Sequence, residues 1–152
     1  MITTKNGDGG TSEYFGKKVG KGGKLLEAIG TLDELQAVLG LGGLEKIQED
    51  IYKIMGNLGE EIRNGILETR IKEIEKETEK IEKEIKIPKN FVIFKNKKAM
   101  ELNWVRTIVR RAERKVAALR NYQLSIINYQ LTLIYLNRLS DFIYLLALRE
   151  EM

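Results

Sequence analysis

Cysteine and histidine are both absent from the 152 residues, and proline and tryptophan occur once each. Without cysteine there is neither a disulfide framework nor a thiolate zinc site. Without histidine the chain lacks the commonest general base, the commonest transition-metal ligand and the usual axial ligand to a haem-type or corrinoid metal. No stretch of about 18 consecutive apolar residues occurs, so the expectation is a chain without a membrane span. Met1 to Gly23 is polar and glycine-rich rather than apolar, unlike a secretory leader, and the cytoplasm is the expected compartment. Lys and Arg total 26 against 22 Asp and Glu, a net charge of +4. This mild basic bias favours anionic partners in general and selects none.

What is present divides into a loop and five helices. Eight of the 14 glycines, at 7, 9, 10, 16, 20, 22, 23 and 30, fall in the first 30 residues. Residues 1–23 are therefore expected to be a loop, with a short hairpin around Tyr14-Phe15. Residues 24–152 carry helical periodicity throughout and form one domain with it. Leu25, Ala28, Leu32, Leu35 and Leu39 mark a first helix, and Ile47, Ile51, Ile54, Leu58 and Ile62 a second, running to Gly65. A third, from about Glu68 to Lys86, reads Ile71, Ile74, Thr78, Ile81, Ile85, a narrow seam with Glu-Lys pairs at i,i+4 outside it. Pro88 ends it, and Phe91-Val92-Ile93-Phe94 bridges to a fourth helix, about Lys98 to Asn121, built on Leu102, Val105, Val109, Ala112, Val116 and Leu119. The fifth, about Ser125 to Glu150, is the most apolar and is expected at the centre. The predicted fold is all-α: a five-helix bundle with ferritin-like up-down packing and a glycine-rich amino-terminal loop that orders on binding.

Three constellations stand out. In Asn6-Gly7-Asp8-Gly9-Gly10-Thr11-Ser12, closely spaced glycines let backbone amides converge on an anion without Cβ interference. Lys5, Lys17, Lys18 and Lys21 surround them, and Asp8 suits a metal ion held against a polyphosphate. A turn in a surface tail fits the same residues. Arg106, Arg110 and Glu113, four and three apart, share one helical face beside the Val105–Val109–Ala112–Val116 stripe. Such arginines need partners; Asp33 and Asp141 are available, and a structural ion-pair network is the competing explanation. Asn137 and Asp141 lie one turn apart amid Tyr135, Leu136, Leu139 and Phe142, where a ribose, an adenine edge or another helix would satisfy them.

Taken together these segments resemble a known family. Thr4-Lys5-Asn6-Gly7-Asp8-Gly9-Gly10-Thr11 is similar to the nucleotide loop of the PduO-type ATP:cob(I)alamin adenosyltransferases, and Ala28-Ile29-Gly30-Thr31-Leu32-Asp33-Glu34-Leu35 to their first-helix motif. Arg106 to Arg114 and Tyr135 to Asp141 resemble their two active-site helices, and the four motifs occur in family order. The resemblance implies a trimer with ATP between adjacent subunits. Thr4, Lys5, Gly7, Asp8, Gly10, Thr11 and Lys21 would wrap the triphosphate and its Mg²⁺, with Asp8 at the metal. Arg110, Glu113 and Asn137 would hold the nucleotide from the other subunit, with Asp141 in the same cluster. Arg106 would pair with Asp33 across the interface. Cob(I)alamin is the implied co-substrate, and Phe91 by position would displace its lower ligand. Cobalamin-reducing or adenosylcobalamin-using enzymes are the implied partners.

The chain departs from the family pattern in three places. Asn6 and Gln36 replace a threonine and an asparagine. The segment before the fourth helix, usually Phe-Ile-Leu-Pro-Gly-Gly followed by a Leu-His run, is Phe91-Val92-Ile93-Phe94-Lys95-Asn96 here, one residue short, with Asn103 in the histidine place. Two other readings stand beside the transferase. One is a bundle of the same family that binds ATP as a cofactor chaperone or sensor without transfer. The other is a nucleic-acid binder using Arg106 to Arg120, which predicts binding that collapses with salt. Glu113 and the acidic third helix oppose phosphate and set the nucleic-acid reading aside.

Overall fold

A computed structural model describes residues 2–14, 16–58, 65–122 and 126–152. Phe15, Ile62 and the predicted first residue of the last helix, Ser125, lie outside them. Two short antiparallel strands, β1 (Thr11–Tyr14) and β2 (Lys17–Gly20), form the expected hairpin. Five helices follow: α1 (Lys24–Leu41), α2 (Glu45–Asn57), α3 (Ile66–Glu84), α4 (Lys97–Ala117) and α5 (Ile126–Glu151).

Local chemistry sets the ends that matter. Gly43, at φ +70°, turns the chain out of α1, and the Gly43 and Leu44 amides donate back to the Gly40 and Leu39 carbonyls, each at 3.1 Å. A left-handed glycine there closes the helix without Cβ strain. Asn96 caps α4: its Oδ1 accepts from the Lys98 amide at 2.8 Å and the Ala99 amide at 3.4 Å, satisfying two otherwise unpaired donors.

The helices pack in the ring order α2, α1, α4, α5, α3. Cross-helix pairs give their directions. Glu27 meets Lys115 and Glu34 meets Arg111, so α1 and α4 run oppositely. Glu113 meets Asn137 and Ala117 meets Tyr129, so α4 and α5 do too. Glu75 meets Arg138 and Glu84 meets Arg149, so α3 and α5 are parallel. A ring of five alternating helices must contain one parallel neighbour pair, and this is it. Among the described residues, the i,i+4 pairs expected along α3, Glu68–Lys72, Glu79–Lys83 and Glu82–Lys86, do not form; other carboxylates of the helix, Glu73, Glu75 and Glu84, reach cations on other helices.

The core follows the predicted stripes: Leu32, Leu35 and Leu39 from α1, Ile51 and Ile54 from α2, Ile81 from α3, Val109 and Val116 from α4, and Leu136, Leu139 and Ile143 from α5 are all buried. Within α5, an 18-residue window of Asn128–Glu151 reaches a mean hydropathy of 1.4, enough in length and composition to cross a membrane. No uninterrupted apolar run announced it. Here 56% of that apolar window is buried in the bundle, against α3 and α4; α5 takes a place in the ring between these two helices rather than the expected central position.

One core feature escaped the periodicity. Asp50 lies on the apolar face of α2, buried, with both carboxylate oxygens accepting from Arg70 Nε at 3.0 and 2.8 Å. The buried Tyr135 hydroxyl donates to the same carboxylate at 2.7 Å. Burial first, and then the Asp50 carboxylate, push the Tyr135 phenol well above its ordinary range. This triad joins α2, α3 and α5. Its only sequence signal is an aspartate three residues after Ile47 and one before Ile51, where the 3.6 period calls for an apolar side chain.

Candidate functional site

Antiparallel packing of α4 on α5 brings two polar stripes together. On α4 the stripe is Asn103, Arg106, Arg110, Glu113, spaced three, four and three; on α5 it is Asn137, Asp141 and Tyr144, spaced four and three. Each runs beside a buried apolar stripe, so the polar groups stand at the edge of the core rather than inside it. Arg110 is 43% and Glu113 20% exposed. The arginines expected next to buried surface are therefore half-buried, which lowers the cost of their charge.

The polar groups meet both within and between the stripes. Arg110 Nη1 donates to Glu113 Oε2 at 2.6 Å, and Asn137 Nδ2 to Glu113 Oε1 at 3.4 Å. Arg106 Nε donates to Asn103 Oδ1 at 2.9 Å, and its guanidinium carbon lies 5.7 Å from the centre of the Tyr144 ring. Asp141 is exposed at the rim. Among the described residues, the Arg106 terminal nitrogens and the Asp141 carboxylate make no hydrogen bond or ion pair. Arg111 points away and pairs with Glu34 of α1.

A cavity of about 370 Å³ opens over this edge, lined by Phe91, Val92, Phe94, Asn103, Arg106, Arg110, Ser140, Asp141 and Tyr144. Phe94 is buried and meets Tyr144 edge-to-face, with centroids 6.3 Å apart at 82°. Phe91 is fully exposed at the mouth. Sequence reasoning named Phe91, Arg106, Arg110 and Asp141 among these and noted Asn103 only as a departure. It did not place Tyr144 here, because an aromatic at core spacing reads as packing, and it met Phe94 and Ser140 only as members of longer motifs. A larger cleft of about 510 Å³ lies between the α1–α2 turn and α3. Its Arg70 is held by Asp50 and Glu73, and its Lys46 by Glu73. We therefore place the site at α4–α5.

The glycine loop sits elsewhere on the chain. The Tyr14 hydroxyl ties the hairpin to α2 by donating to the Met55 carbonyl at 2.8 Å. Lys21 Nζ donates to the Gly7 carbonyl at 2.8 Å, and the Lys21 amide to Gly10 O at 2.9 Å, folding the loop back on the strand end. Gly10 at φ +78° and Lys5 at φ +60° take left-handed backbone. For Lys5 this is uncommon and reshapes the turn that leads into Gly7. Thr4, Lys5, Asp8 and Gly10 are exposed, with Gly7 and Thr11 half-buried. Asp33 is exposed on α1 and accepts from Gln36 Nε2 at 3.3 Å. Among the described residues, no hydrogen bond or ion pair joins the loop or Asp33 to Arg106, Arg110, Glu113, Asn137 or Asp141. One chain thus carries two separate clusters: amides and lysines at one, arginines and an aromatic-walled cavity at the other. Described residues include no group of three metal-ligating side chains. A lone exposed Asp8 fits Mg²⁺, which typically takes one or two carboxylates and completes its shell from phosphates and water.

Comparison with known proteins follows the same lines. The family model described as cobalamin adenosyltransferase matches residues 2–150. The chain is 30% identical over 169 aligned positions to the corrinoid adenosyltransferase PduO of Salmonella typhimurium, covering 99% of the chain and 49% of that protein. To the corrinoid adenosyltransferase of Bacillus subtilis it is 32% identical over 171 positions, covering 96% and 84%. The chain spans about half the length of the PduO relatives it matches. Among solved structures, a phenylalanine-to-histidine variant of the PduO-type ATP:corrinoid adenosyltransferase from Lactobacillus reuteri, complexed with cobalamin and ATP, superposes with a TM-score of 0.83 at 27% identity, covering 97% of this chain and 89% of that one.

Proposed function

This chain belongs to the cobalamin adenosyltransferase family, and on that premise we propose that it transfers the 5′-deoxyadenosyl group of ATP to the cobalt of cob(I)alamin. Cobalt(I) supplies both electrons of the new Co–C5′ bond, the C5′–O bond breaks, and triphosphate leaves with that pair. No protein nucleophile or general base is required, which suits a chain without histidine or cysteine. The protein's share is orientation and stabilisation of charge on the leaving group.

In this reading Thr4, Lys5, Gly7, Asp8, Gly10, Thr11 and Lys21 enclose the triphosphate, and Arg110, Glu113 and Asn137 of an adjacent subunit hold the nucleotide. Asp141 stands in the same cluster at the cavity rim. Mg²⁺, held against the triphosphate by Asp8, would neutralise leaving-group charge. Arg106 reaches Asp33 across the contact, and Phe91 covers the lower face of the corrinoid. The assembly is a trimer in the cytoplasm, served by cobalamin-reducing or adenosylcobalamin-using enzymes. The supporting observation is the separation of half-sites: the loop is bonded to its own α2 end of the bundle, whereas Arg106, with only its Nε hydrogen-bonded among the described residues, and Arg110, which Glu113 links to Asn137, line a cavity on α4–α5. A second copy supplies the missing half of each.

Incubation with chemically reduced cobalamin, Mg²⁺ and ATP tests this. Loss of the cobalt(I) absorbance with appearance of adenosylcobalamin is expected, and an unchanged spectrum refutes transfer. The altered Phe91–Asn96 segment favours one second reading, a cofactor chaperone or sensor. That reading requires saturable uptake of ATP and corrinoid with no turnover.

A further inference from the structure

The segment between α3 and α4 carries Phe91 to the mouth of the cavity, yet it has no secondary structure to hold it there. Among the described residues, none of the amides from Lys86 to Asn96 donates to another backbone carbonyl. Two of them instead meet one side chain. The Glu151 carboxylate accepts from the Lys95 amide at 3.1 Å (Oε1) and 2.9 Å (Oε2), and from the Asn96 amide at 2.9 Å. Phe94, one residue earlier, is buried against Tyr144, and Asn96 caps α4. Glu151 therefore grips the chain between an apolar anchor and a helix cap, three to five residues after Phe91.

Helical geometry links this grip to the site. Asn137, Asp141, Tyr144, Leu148 and Glu151 follow one another at spacings of four, three, four and three, a single stripe along α5. The stripe that borders the nucleotide half-site at one end thus terminates in the carboxylate that holds the segment at the other. We propose that Glu151 is a positioning residue for the corrinoid side of the reaction, fixing the backbone of 94–96 so that Phe91 stands over the cavity rather than swinging clear of it. This rests on the adenosyltransferase reading for its ligand; the grip itself does not. An ionised acceptor for two adjacent amides is stronger and more directional than a neutral one.

Glu151→Ala tests it, with Glu150→Ala as the charge-matched control, since Glu150 is exposed one residue away. Hydrogen exchange at the Lys95 and Asn96 amides should accelerate at least roughly tenfold in Glu151→Ala and not in the control. In turnover assays the KM for the corrinoid should rise about five- to tenfold while the KM for ATP stays unchanged. Glu151→Gln, which keeps one acceptor oxygen, should fall between the two and serves if the alanine variant folds poorly. In the double variant with Phe91→Ala, the corrinoid effect should not exceed that of Phe91→Ala alone, because the grip acts through the phenylalanine. Unchanged exchange overturns the grip. Faster exchange with an unaltered corrinoid KM, or additive effects in the double variant, overturns the positioning role. A wild type that never forms adenosylcobalamin instead refutes the proposed reaction, and the corrinoid half of this inference with it.

Discussion

Two clusters in this bundle use nearly the same chemistry, arginine with carboxylates, and end in opposite states. In the core, Asp50 accepts twice from Arg70 and once from Tyr135, and Arg70 also holds Glu73, so each charged group meets a partner. At the α4–α5 edge, Arg110 and Asn137 share Glu113, while the Arg106 terminal nitrogens and Asp141 face a cavity. Burial explains the difference. Asp50 is 4% exposed and tolerates no unpaired neighbour, whereas half-exposed groups keep spare donors at little cost because water satisfies them. A closed cluster holds helices together; an open one has hydrogen-bonding capacity left for a ligand.

Removing one member of each cluster sharpens the contrast. Asp50→Ala leaves Arg70 with Glu73 alone and the buried Tyr135 hydroxyl without its acceptor, and a loss of about 3 kcal/mol in unfolding free energy is expected by denaturant titration. ATP affinity of the protein that remains folded should be unchanged. Arg110→Ala should do the reverse, lowering ATP affinity by about 2–4 kcal/mol in titration calorimetry with unfolding scarcely affected. If Arg110→Ala instead destabilises the fold and leaves ATP binding intact, the two clusters are alike and the open one is structural.

Smaller changes refine the same contrast. Tyr135→Phe removes one hydrogen bond to Asp50 but leaves its ion pair, and should cost about 1 kcal/mol. It should also alter alkaline behaviour. The Tyr135 phenol has a raised pKa in the folded state, so the unfolded chain releases this proton first as pH rises above about 10. Stability contributed below that pH is lost progressively above it, and the phenylalanine variant should show a shallower alkaline decline. Asp33→Asn is expected to have the smallest effect, a KM for ATP raised a few-fold and a weaker subunit contact by sedimentation, with the melting of isolated protomers unchanged. An unaltered KM removes Asp33 from the interface.

Much of this was legible in the residues because helical burial is periodic. The stripes of α1, α4 and α5 named the core almost residue by residue, and Arg106, Arg110, Glu113, Asn137 and Asp141 were visible as polar groups at fixed spacing beside them. The loop was visible in its glycines. Asp50 was not, since a single charge on an apolar face reads as an irregularity until Arg70 and Tyr135 arrive from other helices. Glu151 was not either, because its partners are backbone amides more than 50 residues away and leave no trace in side-chain pattern.

The sequence by itself determined the helices, their buried faces, the glycine loop and the absence of any histidine or cysteine chemistry, because each of these depends on residue type and local spacing. Tertiary structure alone decided which polar groups close on one another and which stay open. It also brought Phe91, Arg106 and Tyr144 around one cavity and tied the loop to α2 away from the arginines. Those outcomes depend on the ring order and direction of the helices, which periodicity along one helix cannot encode.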